Sequence, residues 1–381
     1  MEINDFYLRF NEKPEYLYQA PSRINLIGEH IDYNGGDVLP CAIGLYTKAY
    51  VRKRSDQSVR LYSENTKLEV ACDINNLKYD KSLGWANYPL GLFYILKSKG
   101  YSINYGLDIY FSSNIPLGSG LSSSASILDL TCYIINDIYN LGLDMVSIAK
   151  ISQESEIKYN GLSVGIMDEA AIALGKKDSC LLLDTHNIEY KYIKMDLGKY
   201  KFVVLNTCKP WVLTESKYNE RVYECNKALE ILKPVFNIDN LCQLKITDLD
   251  KALSLIEDNN IKKRVRHVVT EEERVKSFID ALDKKDINRL GELLKESHKS
   301  LKEDYEVTGD NLDTIVDFAN KVAIGARMTG AGFSGCAIAL VDINRFDELK
   351  EVVLKGYKNK FGYDAEVIAI DIVDGPNGYK L

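Results

Sequence analysis

Residues 45–52 alternate strictly: Leu45, Thr47, Ala49 and Val51 fall on one side of an extended chain and Tyr46, Lys48, Tyr50 and Arg52 on the other. That is the period of a strand with one face buried. Ser58–Ser63 is expected to pair with it. From Pro89 to Ser98 the apolar residues Leu90, Leu92, Phe93 and Leu96 keep helical spacing until Gly100 stops them. Tyr105–Phe111 alternates again as a strand. Helices are predicted over about 122–140 and 144–158, after which NGLSVGIMDEAAIALGKKD makes a turn that enters another helix. Short strands follow at Cys180–Asp184, Tyr190–Met195 and Lys201–Asn206. From Leu213 to about Asn320 the pattern is helical and charge-rich. Strands return at Ala326–Thr329, Gly335–Asp342 and Ala365–Ile370, with a helix over about 345–357. Strands mixed with helices first, then helices, then late strands, predict an α+β protein in two lobes, 1–197 and 198–381, with a ligand cleft between them.

One stretch breaks the periodicity with chemistry. In NIPLGSGLSSSASIL, residues 114–128, Pro116, Gly118 and Gly120 deny regular structure, and Ser122, Ser123 and Ser124 offer hydroxyls where an apolar helix begins at Ala125. Glycines let a ligand approach the backbone, and the first helical turn presents free N–H groups and the positive end of a dipole. A polyphosphate fits there. The plainer reading is a turn with Ser122 as helix cap, but a cap needs one serine and leaves the others idle. The stretch lacks Walker A spacing and its lysine.

Composition narrows the class. A chain of 381 residues with 46% hydrophobic and 27% charged residues is an ordinary globular protein, long enough for two domains. A net charge of −7 disfavours nucleic acid or an anionic membrane as partner, so an anionic ligand must be held by local donors. The charges spread through the first eighteen residues predict neither a signal peptide nor an anchor, and the expected location is the cytoplasm. Eight cysteines without C-x-x-C pairs read as reduced packing residues. The basic run Lys262, Lys263, Arg264 and Arg266 has no interleaved aromatics and reads as a solvated helix face. The pattern sets no oligomeric state; a monomer is compatible with it.

Three further stretches carry candidate chemistry. RINLIGEHIDYNGG, residues 23–36, places Arg23, Glu29, His30 and Asp32 around Gly28. Carboxylates that accept from vicinal hydroxyls, beside imidazole and guanidinium donors, suit a small polyhydroxylated molecule. A metal at His30 and Asp32 is the weaker alternative, since no second histidine is near. A polar hairpin of mutually satisfied charges is the other. Asp168, in GIMDE, alone is an ordinary acid in a first helical turn; paired with an arginine it could orient or receive a hydroxyl proton. In RMTGAGFSGCAIALV, Gly330, Gly332 and Gly335 mimic a dinucleotide fingerprint, but a strand follows instead of a helix. The stretch is therefore expected to be a glycine turn lying near a ligand or the other glycine loop, or else a plain hairpin.

Together PLGSGLSSSAS, RMTGAGFSGC and RINLIGEHIDYNGG resemble the three signature motifs of the GHMP small-molecule kinases, and the last is similar to the galactokinase family in particular. The likeness continues through WANY (Trp85–Tyr88), QESE (Gln153–Glu156), GIMD, SKYNERVYEC (Ser216–Cys225), KRVRHVV and ESHKSLKEDYEVT, nearly the whole chain. What it implies is a two-lobed GHMP kinase fold: a first lobe with a mixed sheet and helices, a second with helices over an antiparallel sheet, and the active site in the cleft. It also implies transfer of the ATP γ-phosphate to the anomeric hydroxyl of galactose, the entry step of galactose metabolism. By this likeness Asp168 and Arg23 are catalytic, and Glu29, His30, Asp32, Gly165, Asp168 and Tyr218 bind the sugar. Pro116, Leu117, Gly118, Ser119, Gly120, Leu121, Ser122, Ser123, Ser124 and Ala125 hold ATP, and Ser124 and Glu156 hold Mg²⁺. The chain departs from the family pattern at Ser22, Ala331 and Ser334, where glycine is usual, and at Glu169, where glutamine is usual. A 1-kinase for N-acetylgalactosamine or arabinose, or a non-catalytic sensor of galactose and ATP, remains open on these residues.

Overall fold

The computed structural model describes residues 2–162, 164–209 and 215–381. The first residues of the helical stretch expected from Leu213 lie outside the described residues.

In chain order the strands and helices of the first half are α1 (Glu2–Phe10), β1 (Tyr16–Asn25), β2 (Asp37–Val38), β3 (Pro40–Lys53), β4 (Ser58–Ser63), β5 (Glu69–Asp73), α2 (Asn87–Ser98), β6 (Leu107–Ser113), α3 (Ser123–Tyr139), α4 (Met145–Lys158), α5 (Met167–Ala173), β7 (Ser179–Asp184) and β8 (Glu189–Lys194). The second half has β9 (Tyr200–Asn206), α6 (Glu215–Phe236), α7 (Leu249–Ser254), α8 (Asn259–Asp283), α9 (Ile287–Ser300), α10 (Gly309–Ala319), β10 (Gly325–Met328), β11 (Cys336–Asp342), α11 (Phe346–Phe361), β12 (Glu366–Ala369) and β13 (Asn377–Lys380). A π-helical turn, Leu301–Tyr305, extends α9.

The large sheet has the order β13-β1-β3-β6-β4-β5 and is antiparallel except for the parallel pair β4 and β6. The expectation that Ser58–Ser63 pairs with the alternating strand is corrected here: β6 lies between them. The reason is electrostatic. Buried Asp108 of β6 accepts from Arg60 Nε of β4 at 2.6 Å and from Arg54 Nη1 at 2.9 Å, which requires β4 beside β6. α1 lays Phe6 and Phe10 against Tyr50, Tyr62 and Tyr110 to form a small second core on one face of this sheet. Helices α3 and α5 cover the other face, against β1 and β3. β2, β7 and β8 form a three-stranded sheet alongside.

The sheet of the second half runs β10-β11-β9-β12, all antiparallel, with α9 and α10 packed on β10. The chain then returns. Val373 N–H donates to Ala42 O, Gly375 N–H to Gly175 O, and β13 adds to β1 in the register Tyr16 to Lys380.

One further expectation fails. Arg264 does not sit on a solvated face: it is 1% exposed, its Nε donates to Glu224 at 2.7 Å and its Nη2 to Glu306 at 2.9 Å. α8 buries a polar stripe in which Arg264 meets Glu224 and Glu306 while His267, Glu271 and Glu272 meet Glu29 O, Gly28 N–H and Asp37 N–H, and this burial required charges to be paired inside the fold. Among the described residues no helix is long and apolar enough to cross a membrane.

Candidate active site

Arg23 lies near the end of β1, past a bulge at Pro21 and Ser22, and is 4% exposed. Its Nε and Nη2 donate to Asp168 Oδ1 and Oδ2, each at 2.7 Å, a fork-on-fork pair joining β1 to the first turn of α5. Nη1 donates to Gly120 O at 3.0 Å. The Ser122 hydroxyl also donates to Asp168. Ser122 has a left-handed backbone, φ +57°, and its side chain makes no cap to α3. Its hydroxyl is turned to the site, not to the helix it precedes.

The two glycine segments meet at van der Waals limits. A Cβ on Gly330 would lie 2.8 Å from Gly120 O, and one on Gly335 would lie 2.6 Å from Ser119 O, at φ of +83° and +92°. Only glycine combines that φ with that clearance. The late glycine turn therefore stacks on the serine loop, as one of the two sequence readings required. Ser22 has a use of its own: it is buried and donates to Leu121 O at 2.6 Å, bracing the same loop.

The motif at 26–36 is held from beneath. Gly28 N–H donates to Glu271 Oε1 at 3.0 Å and Glu29 N–H at 3.3 Å, while Ser297 and Arg274 complete the shell of Glu271. Arg274, His267 and Arg327 offset its burial and hold Glu271 well below the ordinary range, at about 2. Buried Arg327 pairs with the Glu29 carboxylate. His30, in a left-handed conformation at φ +62°, reaches Ala331 O through Nε2 at 3.2 Å and Tyr33 OH through Nδ1 at 3.0 Å. Asp32 crowds Gly165 so closely that a Cβ there would stand 1.8 Å from its Oδ2. Burial, aided by the Asp168 charge, pushes Asp32 up to about 7.

These groups enclose a cavity of about 400 Å³ lined by Arg23, Glu29, His30, Asp32, Asp168 and Tyr218, with Gly165 on its rim. Ser124 and Glu156 line its far wall beside Glu169. Burial and the adjacent Glu156 carboxylate drive Glu169 well above the usual carboxylate range, and burial does the same to Asp129 behind it. Among the described residues no cation is a leading influence on Glu156, Glu169 or Asp129.

Of the residues expected to hold ATP, Ser124 alone lines this cavity. Leu117 is 65% exposed at the loop tip, Ser119 folds its hydroxyl back to Pro116 O at 2.6 Å, and Ala125 is buried in the core. Arg327, Glu271, Arg274 and His267 were not expected from sequence. Arg327 stands at the head of the late glycine motif, but nothing local marks it as the partner of Glu29, 298 residues away.

Ser124 and Glu156 offer a hydroxyl and a carboxylate, and no three acidic, histidine or cysteine side chains among the described residues form a complete metal cage. Two hard oxygens on a wall where no cation stands among the described residues fit a magnesium ion that takes its other ligands from phosphates and water.

Comparison with known proteins points one way. A family model of the galactokinase galactose-binding signature matches residues 4–53, one of the GHMP kinase N-terminal domain matches 87–176, and one of the GHMP kinase C-terminal domain matches 278–359. A galactokinase from Clostridium tetani is 48% identical over 98% of this chain and 97% of its own length. One from Lactiplantibacillus plantarum is 45% identical over 98% and 97%. The crystal structure of Lactococcus lactis galactokinase complexed with galactose is 39% identical, covers 98% of both chains and superposes with a TM-score of 0.94. A mevalonate kinase from Methanococcus jannaschii, 23% identical with a TM-score of 0.71 over 94% of this chain and 99% of its own, shares the fold.

Proposed function

The chain belongs to the galactokinase family of the GHMP kinases, and from that premise we propose that it transfers the γ-phosphoryl group of ATP to the C1 hydroxyl of D-galactose, giving galactose 1-phosphate and ADP. The observation that carries the reading is the Arg23–Asp168 fork, set where the serine loop meets the sugar motif. Glu29, His30, Asp32, Tyr218 and the backbone at Gly165 frame the sugar, with carboxylates for its vicinal hydroxyls. The serine loop, 116–125, and the N-terminus of α3 take the phosphates.

In this reading O1 of the sugar attacks the γ-phosphorus in line as the bond to the bridging oxygen of ADP breaks. Asp168 orients the hydroxyl and accepts its proton, while Arg23 offsets the charge spread over the transferring group. Arg23 also fixes the direction of Asp168, so most of the acceleration comes from positioning two reactants in a preformed frame. Magnesium, held by Ser124 and Glu156, would neutralise phosphate charge. The lobes follow the division 1–197 and 198–381, with β13 returned to the first lobe's sheet. A kinase of free sugar and ATP belongs in the cytoplasm.

The test is turnover by purified protein with ATP and Mg²⁺ across galactose, N-acetylgalactosamine and arabinose. Galactose is expected to be the fastest substrate. No turnover of galactose beside fast turnover of another sugar would remove this specificity, and no turnover of any sugar with retained binding would make the protein a sensor.

A further inference from the structure

His30 has a neighbourhood that its expected role in binding sugar hydroxyls does not use. Nε2 faces Ala331 O at 3.2 Å, and a carbonyl only accepts, so Nε2 carries the proton. Nδ1 is then an acceptor, and the hydroxyl of Tyr33 at 3.0 Å must donate to it. That commits the Tyr33 oxygen to accept from Tyr305 OH at 2.8 Å. The Tyr305 oxygen in turn accepts from the Cys225 thiol at 3.2 Å. Cys225 Sγ takes an N–H from Asn34 at 3.7 Å, and Asn34 also donates to His30 O at 3.1 Å, which closes the circuit on the residue where it began. Tyr33, Tyr305 and Cys225 each have one proton to give and one acceptor to give it to, and the Asn34 amide gives its two N–H groups to Cys225 and His30, so the direction is set throughout.

We infer that Tyr33, Tyr305 and Cys225 are positioning residues for the sugar subsite, forming a one-way hydrogen-bond chain that locks the His30 imidazole, protonated at Nε2, between the sugar motif and the late glycine turn. With both nitrogens engaged, the ring meets the cavity through its carbons, and it acts by fixing the backbone between Glu29 and Asp32. The chain draws on four separate parts of the molecule: residues 30–34, α6, the π-helical turn and the turn at Ala331. The elements around it agree with a neutral ring. Burial, with His267, Arg221 and Arg327 facing it, pushes His30 down to about 3, and burial pushes the Cys225 thiol up to about 11. Tyr305 is itself anchored, its carbonyl accepting from Arg221 Nε at 2.8 Å and its ring packed on His267 with centroids 4.4 Å apart.

The link to sugar binding rests on the galactose reading above, and the experiment separates the two. The protein has four histidines, so ¹⁵N-histidine labelling gives resolvable imidazole signals, with His30 assigned by its loss in His30→Gln. The expected wild-type spectrum shows Nε2 protonated and Nδ1 bare, unchanged from pH ~8 to ~5.5, across the range where a free imidazole titrates. Tyr33→Phe is expected to shift the Nδ1 resonance and raise KM for galactose about three- to tenfold with kcat within about twofold, the scale of one hydrogen bond. Cys225→Ser, which keeps a donor, should preserve KM better than Cys225→Ala. A proton on Nδ1, a midpoint near the ordinary histidine value, or Tyr33→Phe with spectrum and KM both unaltered would overturn the inference. Should Tyr33→Phe not fold, the wild-type spectrum decides, because it requires neither substrate nor variant. A protein that shows the expected spectrum but phosphorylates no sugar keeps the chain and loses only the functional reading.

Discussion

The two walls of the cavity are built on opposite electrostatic plans. On the sugar wall the acids meet cations: Asp168 with buried Arg23, Glu29 with buried Arg327, and Glu271 beneath them with partly buried Arg274. On the opposite wall Glu156 and Glu169, with Asp129 behind them, are buried together, and among the described residues no cation is paired with them. The difference teaches that the first wall is organised before any substrate arrives, whereas the second, in the proposed reading, is suited to a cation that comes with the nucleotide. Asp32 is the exception on the sugar wall: among the described residues it forms no ion pair, and burial raises its pKa.

The largest effect should come from taking a cation out of the organised wall. Arg327→Met strands the Glu29 charge in the interior and is expected to destabilise the protein by about 3–5 kcal/mol, read by urea unfolding. Adding Glu29→Gln should recover part of that loss; if it recovers none, the pair is not what holds this wall.

Next comes the reacting pair. Asp168→Asn keeps the shape of the site but removes a proton acceptor and the ionic half of the fork, and turnover should fall about 10²- to 10³-fold. ATP binding by calorimetry should be little changed. Near-normal turnover would show that Arg23 and the loop suffice alone.

The cation-poor wall makes the complementary prediction. With ADP present, Mg²⁺ at a hundredfold excess over its dissociation constant should stabilise the fold by about 2.7 kcal/mol. Glu156→Gln should abolish most of that gain in a thermal melt while leaving the metal-free stability equal or higher. An equal response to Mg²⁺ in both proteins would move the ion elsewhere.

The smallest effect sharpens the position of Asp32. Its carboxyl gains the charged form on rising through about pH 7, and an ionised acid accepts two hydroxyls. Accordingly kcat/KM for the sugar should climb through that pH and flatten in Asp32→Asn. Stability runs the other way. A carboxyl raised on folding contributes stability fully below its unfolded value and loses it as pH rises through about 7. Glu271 is the converse, its contribution present above the unfolded value and lost as pH falls toward about 2.

How much of this was legible beforehand depends on the range of the interaction. The alternation at 45–52 and the glycine punctuation at 118–120 and 330–335 are local signals, and both appear where they were read. The pairing of Arg23 with Asp168 was open in the sequence, because an acid in a first turn has an adequate local role; contact with β1 selected the other one. Arg264 was misread for a related reason. A basic run looks solvated unless Glu224 and Glu306, from other segments, are known to meet it. β5 and β13 left no trace, being short edge strands whose placement is set by backbone pairing, and the polar NGYK of β13 shows no period at all. The frame under the sugar motif was hidden likewise, since Glu271 reads as one more charge on a charge-rich helix until Gly28 and Glu29 lean on it.

The return of the chain has a mechanical consequence. The polypeptide enters the four-stranded sheet's half before β9 and leaves it after β12, and these strands are hydrogen-bonded neighbours. Lys201 and Asp371, one at each crossing, are joined at 3.1 Å. Two adjacent tethers, together with the buried Arg327–Glu29 pair and the Gly28 and Glu29 N–H bonds to Glu271, join the halves at well-separated points, so the facing of the two glycine segments is set by the fold itself.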